Sequence, residues 1–126
     1  MTRHFPDWIT AYLQYTEDFE PPKAFNLWTA ISILSIATSK QVWYPFGGSK
    51  IWPNLYTVFV GPSGCGKTQA MRRGKPFVDL LKISLSPDKS TGAKLLHRMS
   101  QAVVPPGNTR DGKIKTPYLI YAEELP

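Results

Sequence analysis

Eight consecutive residues constrain this chain more than anything else in it: Gly61-Pro62-Ser63-Gly64-Cys65-Gly66-Lys67-Thr68. They satisfy the phosphate-loop pattern of Gly, four residues, Gly, Lys, then Ser or Thr. Glycines let the backbone curl until successive N–H groups point inward, making a concave donor surface for phosphate oxygens, and a helix starting at the loop's end adds its positive pole. The pattern has force only between a strand and a helix. Here Leu55 to Val60 reads as a continuous apolar strand of the kind buried in a parallel sheet, and Gly66 to Arg73 reads as a helix. All eight residues are therefore expected to hold a nucleoside triphosphate. Lys67 is expected to reach the β- and γ-phosphates as a catalytic cation, and Thr68 to place its hydroxyl on Mg²⁺. The bland alternative, a Gly-rich turn that happens to contain a lysine, does not account for the flanking strand and helix. Cys65 is read as a small residue that fits the loop, against a redox-sensitive thiol at a helix N-terminus.

Triphosphate hydrolysis also requires a carboxylate on the Mg²⁺ side and another to orient the attacking water, both commonly delivered by the end of a buried strand. Tyr118 to Ala122 is a second apolar run and leads directly into Glu123-Glu124. Glu123 is assigned to the metal and Glu124 to the general base. Two exposed acids at a strand end are the competing reading, because the pattern is short and common.

The rest of the chain supplies a scaffold. Asp7 caps a helix over Trp8 to Tyr15, closed by the acidic Glu17 to Glu20 segment and Pro21-Pro22. A second helix is expected from Pro22 to Ser39, with Leu27, Ile31 and Leu34 on an apolar face widened by Ala30, Ile33 and Ala37, and buried on most sides. Gln41 to Phe46 is β-prone and ends at a Gly47-Gly48 turn. Further helices are expected over Pro76 to Ile83 and Gly92 to Val103, the latter capped by Ser90 or Thr91 and followed by a loop at residues 105–108. The division expected is a helical leader with a β-prone segment over residues 1–50, then a nucleotide-binding core over 51–126.

Charge is uneven. Of the Lys and Arg residues four fall in positions 1–60, matched by four acids, while positions 61–126 hold eleven against five, so the net +6 lies wholly in the second half. Such a balance suits a polyanion, though some of it must face nucleotide phosphates and some only solvates the protein. Arg72, Arg73 and Lys75 are read as a solvated helix face rather than phosphate or DNA contacts. Trp43, Tyr44 and Trp52 are read as core rather than as an adenine-stacking surface, and His4 and His97 as surface or helix-side residues. The single cysteine excludes an internal disulfide and a cysteine zinc cluster, no signal peptide is visible, and the apolar stretch from Phe25 to Thr38 is shorter than the ~20 residues of a bilayer span. A cytoplasmic protein with no membrane segment is expected.

Pro22-Lys23-Ala24-Phe25, the apolar helix after it, Gln41-Val42-Trp43, Trp52-Pro53-Asn54-Leu55-Tyr56, the phosphate loop, Lys75-Pro76 and Thr91-Gly92-Ala93-Lys94-Leu95-Leu96 together resemble the RecA-like ATPase domain of primase-helicase proteins from phages, plasmids and integrated elements. The resemblance runs from about Asp7 to Pro126, and only the phosphate loop is highly specific. It implies an α/β fold with a parallel sheet, incomplete here and preceded by a helical leader, and a replicative DNA helicase or primase-helicase that couples Mg-ATP hydrolysis to work on DNA. It further implies single-stranded DNA as partner and a homo-oligomeric ring in the full-length protein. Lys67 and Thr68 match the family's nucleotide lysine and metal-side hydroxyl, and Glu123 with Glu124 resembles its second acidic motif. The sequence departs from the family by ending two residues after Glu124, before any sensor residue or arginine finger. The expectation is the product of a truncated gene, a fragment, or half of a split protein, inactive as an ATPase by itself. Three other readings stay open: a non-catalytic nucleotide-binding fragment, a small-molecule kinase on the same loop, and a transporter-type ATPase, the last disfavoured by the lack of a Ser-Gly-Gly-Gln segment.

Overall fold

The computed structural model describes residues 6–39, 41–86, 92–101 and 118–120. The chain forms two compact units, one of residues 1–37 and 54–80, the other of residues 38–53 and 81–126. The two leader helices thus share a unit with the phosphate-loop motif.

In the first unit, helix α1 spans Trp8–Tyr15. Asp7 starts it as read from the sequence: its carboxylate accepts from the Thr10 N–H at 2.8 Å and from the Thr10 hydroxyl at 2.9 Å. Thr16 ends it, returning both its N–H and its hydroxyl to the Tyr12 carbonyl, at 3.0 and 2.9 Å. Helix α2, Lys23–Thr38, follows the two prolines, and the Phe25 and Asn26 N–H groups both turn back to the Pro22 carbonyl. Helix α3 runs from Lys67 to Leu80 without a break. The sequence suggested two helices parted near Pro76. An interior Pro removes one ladder N–H and crowds the carbonyl a turn before it, yet α3 continues through Pro76, with Lys75 and Asp79 paired at 3.6 Å one turn apart.

The core of this unit is Tyr12, Ala30, Ile33, Ala70 and Val78. Trp8, Tyr12 and Tyr15 of α1 pack edge-on against Phe77 of α3, with ring centroids 5.1, 5.6 and 5.8 Å away, and the Trp8 indole N–H donates to the Ala30 carbonyl of α2 at 3.0 Å. The buried side of α2 differs from the expected one. Asn26, Thr29, Ala30, Ile33 and Ser35 are buried, while Trp28 and Leu34 are exposed. The reason lies on α3, where Gly74 presents no side chain: a Cβ built there would stand 2.5 Å from Thr29 Cγ2 and 3.1 Å from Ile33 Cδ1. Close approach selects small and β-branched residues over the larger apolar ones.

Leu55–Val60 is not a strand. It pairs with no strand among the described residues, and all its side chains but the half-buried Phe59 are exposed, Tyr56 at 87% and Val60 at 83%. An apolar run becomes a strand only where a neighbour takes up its backbone hydrogen bonds, and the described residues of this unit offer none. The segment leans on α2 instead: Phe59 stacks on Phe25 at 5.0 Å, and the Thr57 and Ser32 hydroxyls lie 3.0 Å apart.

In the second unit, strands β1 (Tyr44–Phe46) and β2 (Ser49–Ile51) form an antiparallel hairpin. Gly47 and Gly48 make its two-residue turn with φ of 52° and 82°, the left-handed values such a turn demands. Strand β3 (Ser84–Ser86), not anticipated from the sequence, pairs in parallel with β4 (Tyr118–Ile120), the described part of the apolar run that leads to Glu123. Helix α4 covers Gly92–Gln101, and residues 102 and 103, expected to continue it, lie outside the described residues. Ser90, Thr91 and the 105–108 loop lie outside the described residues. No helix among the described residues is long and apolar enough to cross a membrane.

Candidate functional site

The Gly61 to Thr68 motif links the exposed 55–60 segment to the first turn of α3. Two of its glycines are required by backbone geometry: Gly64 and Gly66 have φ of 78° and 83°, values that strain any residue with a Cβ. Around Gly64 nothing lies within 4 Å of where a Cβ would stand, so the loop is open above it. Gly66 is closed on its other side by Pro21, whose Cα lies 3.0 Å from such a Cβ. At Gly61 a side chain would meet Cys65 Sγ at 2.8 Å. The loop is therefore tight on the protein side and open on the other.

Lys67, the first residue of α3, folds its side chain back over this loop. Its ammonium donates to the Gly61 carbonyl at 2.6 Å and the Pro62 carbonyl at 2.7 Å, and lies 3.5 Å from Cys65 Sγ. The Cys65 N–H turns back to Pro62 O at 3.4 Å, and the Ala70 N–H begins the helix ladder on Gly66 O at 3.0 Å. Among the described residues no backbone carbonyl accepts from the N–H groups of Gly64, Gly66, Lys67 or Thr68. The first N–H groups of a helix have no intrahelical partner, and together with the helix dipole they favour an anion. An ammonium held over the same loop adds a full positive charge. Thr68 is half-buried on the first turn.

No family model, curated protein or solved structure matches the chain. The chemistry of the site therefore rests on its own geometry and on the motif.

Of the residues singled out from sequence, Gly61, Pro62, Ser63, Gly64, Cys65, Gly66, Lys67 and Thr68 lie together in one loop and helix start. Glu123 and Glu124 lie outside the described residues. Among the described residues no group of three His, Cys, Asp or Glu side chains is gathered as a metal site. His97 is an exposed helix-side residue, its Nε2 3.2 Å from Gln101 Nε2; His4 lies outside the described residues. Arg73 is exposed and stacks its guanidinium on Phe19 at 4.4 Å. Trp43 and Tyr44, read as core, are exposed.

Three supporting residues escaped the sequence reading. Pro21 backs Gly66, Phe25 comes within 3.6 Å of a Gly61 Cβ position, and Glu20 accepts from the Gln69 side chain at 3.3 Å, next to Thr68. Glu20 and Pro21 belong to the acidic and proline-rich link between α1 and α2, and Phe25 to the first turn of α2. A proline and an acid ending a helix signal only a boundary, so nothing in their spacing pointed to a loop forty residues away.

Proposed function

We propose that this chain is the ATP-binding segment of a replicative DNA helicase or primase-helicase, in which Mg-ATP hydrolysis is coupled to work on DNA. The observation that carries the proposal is the loop itself: two glycines at positive φ, an open side above Gly64, and the Lys67 ammonium drawn across the loop from the first turn of α3. In this reading the N–H groups of Gly64 to Thr68 receive the phosphates, and Lys67 exchanges its two carbonyl acceptors for β- and γ-phosphate oxygens. Thr68 and, by the sequence motif, Glu123 are the residues that would hold Mg²⁺, which would supply charge neutralisation at the phosphates. Glu124 orients the attacking water. The fold proposed for the complete domain is a RecA-like α/β core with a parallel sheet, and its assembly a homo-oligomeric ring acting on single-stranded DNA.

The open side above Gly64 and the helix that starts at Lys67 support a triphosphate site, while the Lys67 bonds to the Gly61 and Pro62 carbonyls also tie the loop together. The adenine preference and the DNA partner rest on the resemblance and on the basic second half of the chain. Steady-state ATP hydrolysis by the full-length product, with and without single-stranded DNA, tests the reading: turnover stimulated by the strand supports it, and turnover indifferent to DNA counts against it. Transfer of phosphate to a nucleoside or small metabolite in the same assay favours the kinase reading instead.

A further inference from the structure

The β1–β2 hairpin presents its aromatic residues to solvent. The register sets Tyr44 opposite Ile51 and Phe46 opposite Ser49 on one face, and Pro45 opposite Lys50 on the other. Tyr44 and Phe46 are each 66% exposed. Trp43, one position earlier, falls on the Lys50 side, and the Lys50 ammonium sits 4.2 Å above its ring. Large exposed apolar area of this kind marks a contact surface.

Charge decides the partner. By sequence this unit carries nine Lys and Arg residues against four acids, Asp88, Asp111, Glu123 and Glu124, and none of those acids lies in its 38–53 segment, which forms the hairpin. An apolar protein surface gains nothing from such an excess. A single-stranded nucleic acid matches both features, because it is a polyanion whose unpaired bases offer flat faces to aromatic rings. A duplex offers the charge without the faces.

We propose that the β1–β2 hairpin is a stacking platform for single-stranded nucleic acid, with Tyr44 and Phe46 receiving bases on one face and Lys50, held over Trp43 on the other, supplying positive charge that attracts the phosphate backbone. The inference rests on the nucleic-acid half of the function proposed above and is independent of the phosphate loop.

Fluorescence anisotropy of a labelled oligothymidine titrated with the 126-residue chain tests it, beside a duplex of equal length. The single strand should bind more tightly than the duplex, and the Tyr44→Ala/Phe46→Ala double variant should lose at least about tenfold in affinity. Lys50→Gln should lower the slope of log affinity against log salt by roughly 0.7. The Tyr44→Ala/Phe46→Ala variant should keep the parental affinity for Mg-ATP, so failure of the nucleotide site and failure of the hairpin remain distinguishable. Both hairpin substitutions fall on exposed side chains, and matching melting curves will show that the fold is intact. Equal affinity of the double variant and parent, or equal binding of duplex and single strand, overturns the proposal. So does loss of self-association in the double variant with oligonucleotide affinity unchanged, which makes the hairpin a protein contact.

Discussion

Pro21 stands directly behind Gly66, its Cα 3.0 Å from the point where any Cβ on that glycine would begin. The phosphate loop is thereby braced by the link between α1 and α2, and Gly66 is fixed twice, by a φ of 83° and by lack of room. Replacing Gly66 by Ala should destabilise the unit by about 1–3 kcal/mol and weaken triphosphate binding with it, because the backbone atom it meets cannot swing aside. Thermal melting and a nucleotide titration on the same sample check both effects. A Gly66→Ala protein with parental melting and affinity contradicts the bracing.

A second tight contact lies at Gly74. Alanine gains about 1 kcal/mol over glycine in a helix interior, yet here its Cβ would stand 2.5 Å from Thr29 Cγ2. Thr29 cannot easily turn that methyl away, since its hydroxyl is committed to the Phe25 carbonyl at 2.8 Å. Overpacking of this kind costs about 1–3 kcal/mol, so Gly74→Ala should be net destabilising. Thr29→Ser removes the obstructing methyl and keeps the hydroxyl. In a double-mutant cycle it should recover part of the loss, and additive changes count against the contact.

Tyr12 brings a pH dependence. It is buried to 1% exposure, its hydroxyl has no hydrogen-bond partner among the described residues, and burial, helped by the neighbouring Tyr15, pushes its pKa up to about 12 from 10.0. The unfolded chain ionises this phenol near 10 while the folded chain resists until about 12. The stabilisation is therefore complete below pH 10 and is lost as pH rises through that window, on the order of 2 kcal/mol in all. Tyr12→Phe should keep near-parental stability at pH 7, since it removes an unpaired hydroxyl, and should flatten the alkaline loss relative to the parent. Denaturant unfolding at pH 8, 10 and 11.5 reads it; parallel pH profiles for parent and variant refute it.

Thr68 is assigned to the metal side of the nucleotide. Thr68→Ala should reduce the gain in ATP affinity on adding Mg²⁺ while leaving affinity in excess chelator close to parental. An unchanged Mg²⁺ dependence removes Thr68 from that role.

What the sequence disclosed was local. The Asp7 cap and the Gly47-Gly48 turn follow from a few adjacent residues and form where they are read, and the helix read from Gly66 opens at Lys67. What it withheld depends on distant partners. Leu55–Val60 has the composition of a buried strand, but composition does not supply the neighbour that makes one. The buried face of α2 turns on Gly74, forty-five positions from Thr29, and the brace behind Gly66 on Pro21. In the candidate site the loop was legible because the phosphate binding proposed for it requires glycines and a lysine at fixed spacing. Its supports were not, because Pro21, Phe25 and Glu20 follow no such pattern.

The most direct test of the central claim is an equilibrium titration of ATP with Mg²⁺ into the 126-residue chain and into its Lys67→Ala variant. The account predicts saturable binding by the parent, weakened about tenfold or more in the variant through loss of a charged donor to the phosphates. Equal affinities in the two proteins, or no binding by the parent, would contradict it.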